Sequence, residues 1–135
     1  MPKMQVLFIL ASVAYVSAIF LFAGSSVVSD LSCFNPYSLL HIPLYGVLAI
    51  LLILSIIPID RMGRSISHHQ WRTSSLVSGS IGFAVAITDE YHQSFLFNRT
   101  ASLSDVFLDL VGIVLFLFIF RRYQLRCQKQ PTLLP

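Results

Sequence analysis

The chain has 135 residues, of which 56% are hydrophobic and only 11% charged, and its mean hydropathy is +0.77. Soluble globular domains carry about a quarter of their residues as charges, so the composition excludes that class and indicates an integral membrane protein of one domain, with room for about four spanning helices. The net charge of +3 does not call for a nucleic-acid partner, because the basic residues form no stripe interleaved with aromatics on a polar face.

Lys3 precedes an apolar run from about Met4 to Ala23, long enough to cross a bilayer at about 1.5 Å per residue. The basic start and the small residues Ala23-Gly24-Ser25 would also suit a signal peptide, but the run exceeds the usual ~7–15-residue core of one. Gly24 to Ser38 is polar and turn-rich, with Asp30 and Asn35-Pro36 as breakers. A second apolar run, about Leu39 to Ile59, opens with His41, Pro43 and Tyr45. Pro43 falls in the first turn, where a missing N–H breaks no helix bond, and His41 and Tyr45, four apart, share one helix face.

A basic loop follows, with Arg61, Arg64, His68, His69, Trp71 and Arg72. Trp71 beside Arg72 suits an interfacial anchor, and the two histidines read as headgroup contacts rather than a metal pair. The third run, about Ser74 to Gln93, is the least apolar. Ser75/Gly79 and Ser78/Gly82/Ala86 recur in it at spacing four, which lets helix backbones approach closely in lipid and predicts a central helix. After a loop from Ser94 to Leu103 comes the last run, about Ser104 to Phe120, then a tail with Arg121, Arg122, Arg126 and Lys129. The expected organisation is an all-α four-helix transmembrane bundle in one membrane domain over residues 1–120, with spans at about 4–23, 39–59, 74–93 and 104–120. Residues 121–135 form a basic cytoplasmic tail in this reading. Cys33 and Cys127 lie near opposite ends without metal-ligand spacing, and no disulfide between them is expected.

With four spans, the N-terminus, the middle loop and the tail share a side and hold every Lys and Arg except Arg99. The positive-inside rule then puts both termini in the cytoplasm. His41 and Tyr45 at the start of the second helix, Asp89, Glu90 and Gln93 at the end of the third, and Asp105 and Asp109 at the start of the fourth converge on the outer side, with Arg99 on the loop between. Convergence follows from alternating helix direction alone. Carboxylates in a bilayer cost free energy, on the order of 2.5–3.5 kcal/mol each at a helix centre and less near the surface, so this stretch needs partners or a task.

The series Asp89-Glu90-x-x-Gln93, Phe95, Arg99, Asp105 and Gly112, preceded by His41-x-x-x-Tyr45, resembles the VanZ-like family of small bacterial membrane proteins over about Ser38 to Phe118. Members often carry an Asp-Lys pair where this chain has Tyr37-Ser38, and an Asn where it has Asp109. The resemblance implies an effect at the cell envelope, linked to tolerance of the glycopeptide teicoplanin, and a bacterial cytoplasmic membrane as the location.

Each candidate also has a structural explanation. Ser102-Leu103-Ser104-Asp105 fits a capping box, which would account for Asp105. Asp109 lies about 6 Å deeper along the axis and cannot be a cap; two like charges one turn apart repel, so one of Asp105 and Asp109 should be protonated or paired with Arg99. Asp89 and Glu90 sit where the helix dipole disfavours negative charge, so they either pair with Arg99 and His41 or bind a ligand. Tyr45 and His41 could be interfacial side chains, and Asn98-Arg99-Thr100 matches a glycosylation sequon by accident in a bacterial protein.

Three functions could use such a site. The first is recognition of an envelope lipid or lipid-linked precursor headgroup, with Arg99 gripping a phosphate or carboxylate and Tyr45, Gln93, Asp105 and Asp109 completing the ligand-binding set. The second is an enzyme, with His41, Asp89 and Glu90 as acid–base residues; no nucleophile elbow, Walker loop or zinc signature is present, and neither a metal nor a cofactor is expected. The third is a transporter, flippase or proton-linked channel, which with four helices would need subunits to associate as a homo-oligomer.

Overall fold

A computed structural model of the chain describes residues 3–25, 35–57, 66–96 and 101–129. Among these residues the architecture is all-α, with helices α1 (Lys3–Phe22), α2 (His41–Ile56), α3 (His68–Gln93) and α4 (Leu103–Lys129), and a 3-10 turn at Asn35–Leu40 leading into α2. Lys3–Phe22, Ser38–Ile56 and Leu103–Gln128 are each long and apolar enough to cross a membrane. The many exposed Leu, Ile, Val and Phe side chains, among them Leu10, Leu21, Val114 and Phe118, suit a surface whose solvent is lipid. The chain is a membrane protein.

Helix α3 has the length but not the composition. Its 26 residues are diluted by Thr73, Ser74, Ser75, Ser78 and Ser80. Ser74, Ser78, Gly82 and Ala86 are buried at spacing four, and Asp89, Glu90 and Gln93 continue that inward face. The small residues thus do mark a packing face. They do not make α3 central, however: α3 meets α1 only lightly, whereas α2 packs extensively against all three others, and its Tyr45, Leu48, Ala49 and Ile53 are fully buried. Two glycines explain why. A Cβ on Gly46 would fall into the ring of Phe116, and one on Gly112 would fall onto the backbone of Ile42. At Gly112 the parallel helices α2 and α4 therefore meet almost backbone to backbone, while Gly46 makes room for the Phe116 ring.

Helix α1 packs antiparallel on α2 through hydrogen bonds as well as side-chain bulk. Tyr15 donates to the Leu44 carbonyl at 3.0 Å, Gln5 Nε2 to the Ile56 carbonyl at 3.3 Å, and the Ser12 and Ser55 hydroxyls meet at 3.3 Å.

Three helix ends differ from the hydropathy reading. Helix α2 stops at Ile56, because Ile57 turns extended (φ −97°, ψ 114°) ahead of Pro58, as a residue before proline prefers. Helix α3 begins at His68 rather than about Ser74, N-capped by Ser67, whose hydroxyl accepts from Gln70 N at 3.1 Å. Helix α4 runs on through Lys129 instead of ending at Phe120, with Gln124 buried and the Arg121 guanidinium 5.0 Å over the Trp71 ring. In each of the last two cases the helix continues past the apolar run into polar sequence.

Candidate functional site at the polar end of the bundle

Helices α2 and α4 start, and α3 ends, at the same end of the bundle. Seven of the eight residues singled out from the sequence meet there: His41, Tyr45, Asp89, Glu90, Gln93, Asp105 and Asp109. The eighth, Arg99, lies outside the described residues, so its expected pairing does too.

The contacts form two linked sets. In the first, His41 Nδ1 lies 2.8 Å from Asp109 Oδ1, and His41 Nε2 lies 4.0 Å from Asp105 Oδ2. In the second, Asp89 Oδ2 accepts two hydrogen bonds, from Tyr45 OH at 3.1 Å and Gln93 Nε2 at 3.0 Å. His41 and Tyr45 bind the sets together: their rings are stacked, 6.5 Å apart and 6° from parallel, each handing its polar atom to a different helix. The shared face predicted from their spacing is what allows this.

Burial is nearly complete. Asp109 is fully buried, Asp89 is 2% exposed, and His41 and Glu90 are each 4% exposed. Among the described residues, His41 is the ion-pair partner within reach of Asp105 and Asp109, and Asp109 is the aspartate that grips it. The capping expectation also changes. Glu90 Oε2 accepts the Ser102 N–H at 2.8 Å, so an acid on α3 serves the start of α4, while Asp105 N and Val106 N donate to the Ser102 carbonyl.

Each of the four acids nevertheless keeps one oxygen without a hydrogen bond: Asp89 Oδ1, Glu90 Oε1, Asp105 Oδ1 and Asp109 Oδ2 are buried and unpartnered. Buried carboxyl oxygens without partners are costly. Among the described residues, four acids face His41, with His92 also acting on Asp89, and the negative charge left over falls to protons or cations to balance. His41, Glu90 and Asp105 each offer an atom within 4.8 Å of the others, the one grouping of this kind found among the described residues.

Beside the cluster lies a cleft of about 440 Å³ between α3 and α4. Phe83, Ile87, Tyr91, Leu103 and Val106 give it apolar walls, and Glu90 and Ser102 bring the polar end to its edge. The sequence reading missed these lining residues, because single apolar side chains on a membrane helix carry no signal that separates a cleft wall from a lipid-facing surface.

A family profile described as VanZ/LLP1 matches residues 6–125, nearly the whole chain. No curated protein and no solved structure gives a match.

Proposed function

The chain belongs to the VanZ/LLP1 family, and from that premise we propose that it binds the headgroup of an envelope lipid or lipid-linked cell-wall precursor at its polar end. In this reading the polar end lies in the outer leaflet of a bacterial cytoplasmic membrane, with both termini in the cytoplasm as the distribution of Lys and Arg favours. Teicoplanin-type glycopeptide tolerance is the envelope effect that the family resemblance suggests.

The observation that carries the reading is one juxtaposition. An apolar cleft of about 440 Å³ between α3 and α4 has Glu90 on its wall, and Glu90 belongs to a buried group of carboxyl, imidazole, phenol and amide side chains. Ligand sites combine apolar walls with a few convergent polar groups in this way. An acyl chain would lie against Phe83, Ile87 and Val106 while its headgroup reaches the acids and Arg99.

The test is the lipid that travels with the protein. Lipids extracted from purified wild-type chain, from Arg99→Ala, and from a variant that fills the cleft by changing Ala101, which also lines it, to Trp (Ala101→Trp) are quantified by mass spectrometry. Both variants should lose the bound lipid while keeping helicity and elution volume. Equal lipid in all three would overturn the reading.

A second reading, a membrane-embedded hydrolase or transferase, draws on the His41–Asp109 contact of 2.8 Å. A carboxylate that orients an imidazole is the arrangement a general base uses. Turnover of a lipid-linked precursor that disappears in His41→Ala would support it, and absence of turnover by wild-type protein would remove its basis.

A further inference from the structure

The acids at the polar end have more acceptor atoms than the described residues supply donors for, and three of the groups converge. His41 from α2, Glu90 from α3 and Asp105 from α4 present ligand atoms that all lie within 4.8 Å of one another. Donor atoms around a single ion at about 2.0–2.4 Å stand about 3 to 4.8 Å apart, so a small contraction of this triangle closes it on a cation. Glu90 is 4% exposed. One of its oxygens is held by Ser102 N at 2.8 Å, while the other, Oε1, is buried with no hydrogen-bond partner, as is Asp105 Oδ1.

We infer that His41, Glu90 and Asp105 form a binding site for a divalent first-row cation, Mn²⁺ or Zn²⁺. Two carboxylates and one imidazole suit these ions: the oxygens are hard donors and the ring nitrogen favours a transition metal over Mg²⁺ or Ca²⁺. The surroundings supply what such a site requires outside the ligands. Asp109 Oδ1 lies 2.8 Å from His41 Nδ1, which fixes the ring and turns Nε2 towards Asp105, 4.0 Å away. A carboxylate behind a ligating histidine performs this orienting role in metal sites generally. A dication also offsets the excess of buried carboxyl groups. Three protein ligands leave coordination positions open to an oxygen of another molecule.

The sequence hides the site because its ligands sit on three helices, at positions 41, 90 and 105, where no short spacing marks them. The cation site goes beyond the headgroup reading and does not depend on it, since its ligands all come from the chain itself.

The experiment titrates the full-length chain in phosphatidylcholine nanodiscs with Mn²⁺ alone, reading free aqueous Mn²⁺ by electron paramagnetic resonance, with Zn²⁺ as competitor. Wild type should bind one equivalent that Zn²⁺ displaces. Glu90→Gln and Asp105→Asn should each weaken binding by at least the about 10–100-fold typical of losing a supporting residue, and Asp109→Asn by about that factor. The paired variant His68→Ala/His69→Ala, which removes exposed histidines elsewhere on the chain, should bind as wild type does. A second measurement covers variants that fold poorly: the unfolding temperature of wild type should rise with Mn²⁺ concentration. Wild-type protein that binds no equivalent and shows no thermal shift would overturn the inference. So would Glu90→Gln and Asp105→Asn retaining wild-type affinity.

Discussion

The two halves of the bundle hold the same helices together by different means. At the polar end, ionisable side chains from three helices are buried against one another, His41 on Asp109 and Tyr45 on Asp89. In the opposite half, the polar contacts are those of neutral side chains, such as Gln5 on the Ile56 carbonyl and Ser12 on Ser55, or of a partly exposed cation over a ring, Arg121 on Trp71. Interhelical hydrogen bonds between neutral groups in a membrane are worth about 0.6–2 kcal/mol and are sufficient to hold helices in register. Buried acids are not needed for that. Their concentration at one end is what separates a candidate site from ordinary helix packing, and it should respond differently to mutation.

The largest effect is expected from His41→Ala. It leaves Asp109 fully buried without the imidazole, and breaking a buried pair from one side costs about 3–5 kcal/mol. Thermal or denaturant unfolding in mild detergent should show it, and a stability unchanged from wild type would mean that the contact is incidental. Next comes Gly112→Val, a change in the α2–α4 seam itself. Its side chain would meet the Ile42 backbone, which cannot move aside as a side-chain tip can, so about 3 kcal/mol should be lost, at the upper end of overpacking costs. Tyr45→Phe removes one of the two bonds to Asp89 Oδ2 and leaves Gln93 in place; about 1 kcal/mol is expected. If Tyr45→Phe instead proved as damaging as His41→Ala, the two sets of contacts would act as one network, and a double-mutant cycle would measure the coupling. The smallest effect belongs to the opposite half: Arg121→Ala should cost no more than about 1 kcal/mol, the scale of a partly exposed cation–π contact.

Hydropathy was enough to read α1, α2 and α4, since apolar length is what the bilayer selects, while α3, the least apolar, was marked by its small residues at spacing four. Hydropathy misjudged the ends of α3 and α4, where helices continue through His68–Thr73 and Arg121–Lys129. Polar helical residues there look like loop when only apolarity is counted. The convergence of His41, Asp89, Glu90 and Asp105 could be foreseen because neighbouring spans alternate in direction. The pairings could not. That Asp109 meets His41, and that Glu90 serves Ser102, depends on the axial register of α2 against α4 and of α3 against α4. The small residues on α3 were visible and do pack inward, but the tightest approach lies between α2 and α4, where Gly46 and Gly112 stand 66 positions apart in the chain. Spacing within one helix carries no information about such a pair.

The Gly112–Ile42 approach also divides the molecule mechanically. With backbone against backbone there, α2 and α4 would move as a single strut, and His41, Asp105 and Asp109 would ride on it together. Any widening of the cleft beside Glu90 must then come from α3 swinging against that strut. The bonds from Ser102 N to Glu90 and from Tyr45 to Asp89 would act as its latches, so Glu90, on the cleft wall, is also one of the groups that must let go to admit an arriving molecule.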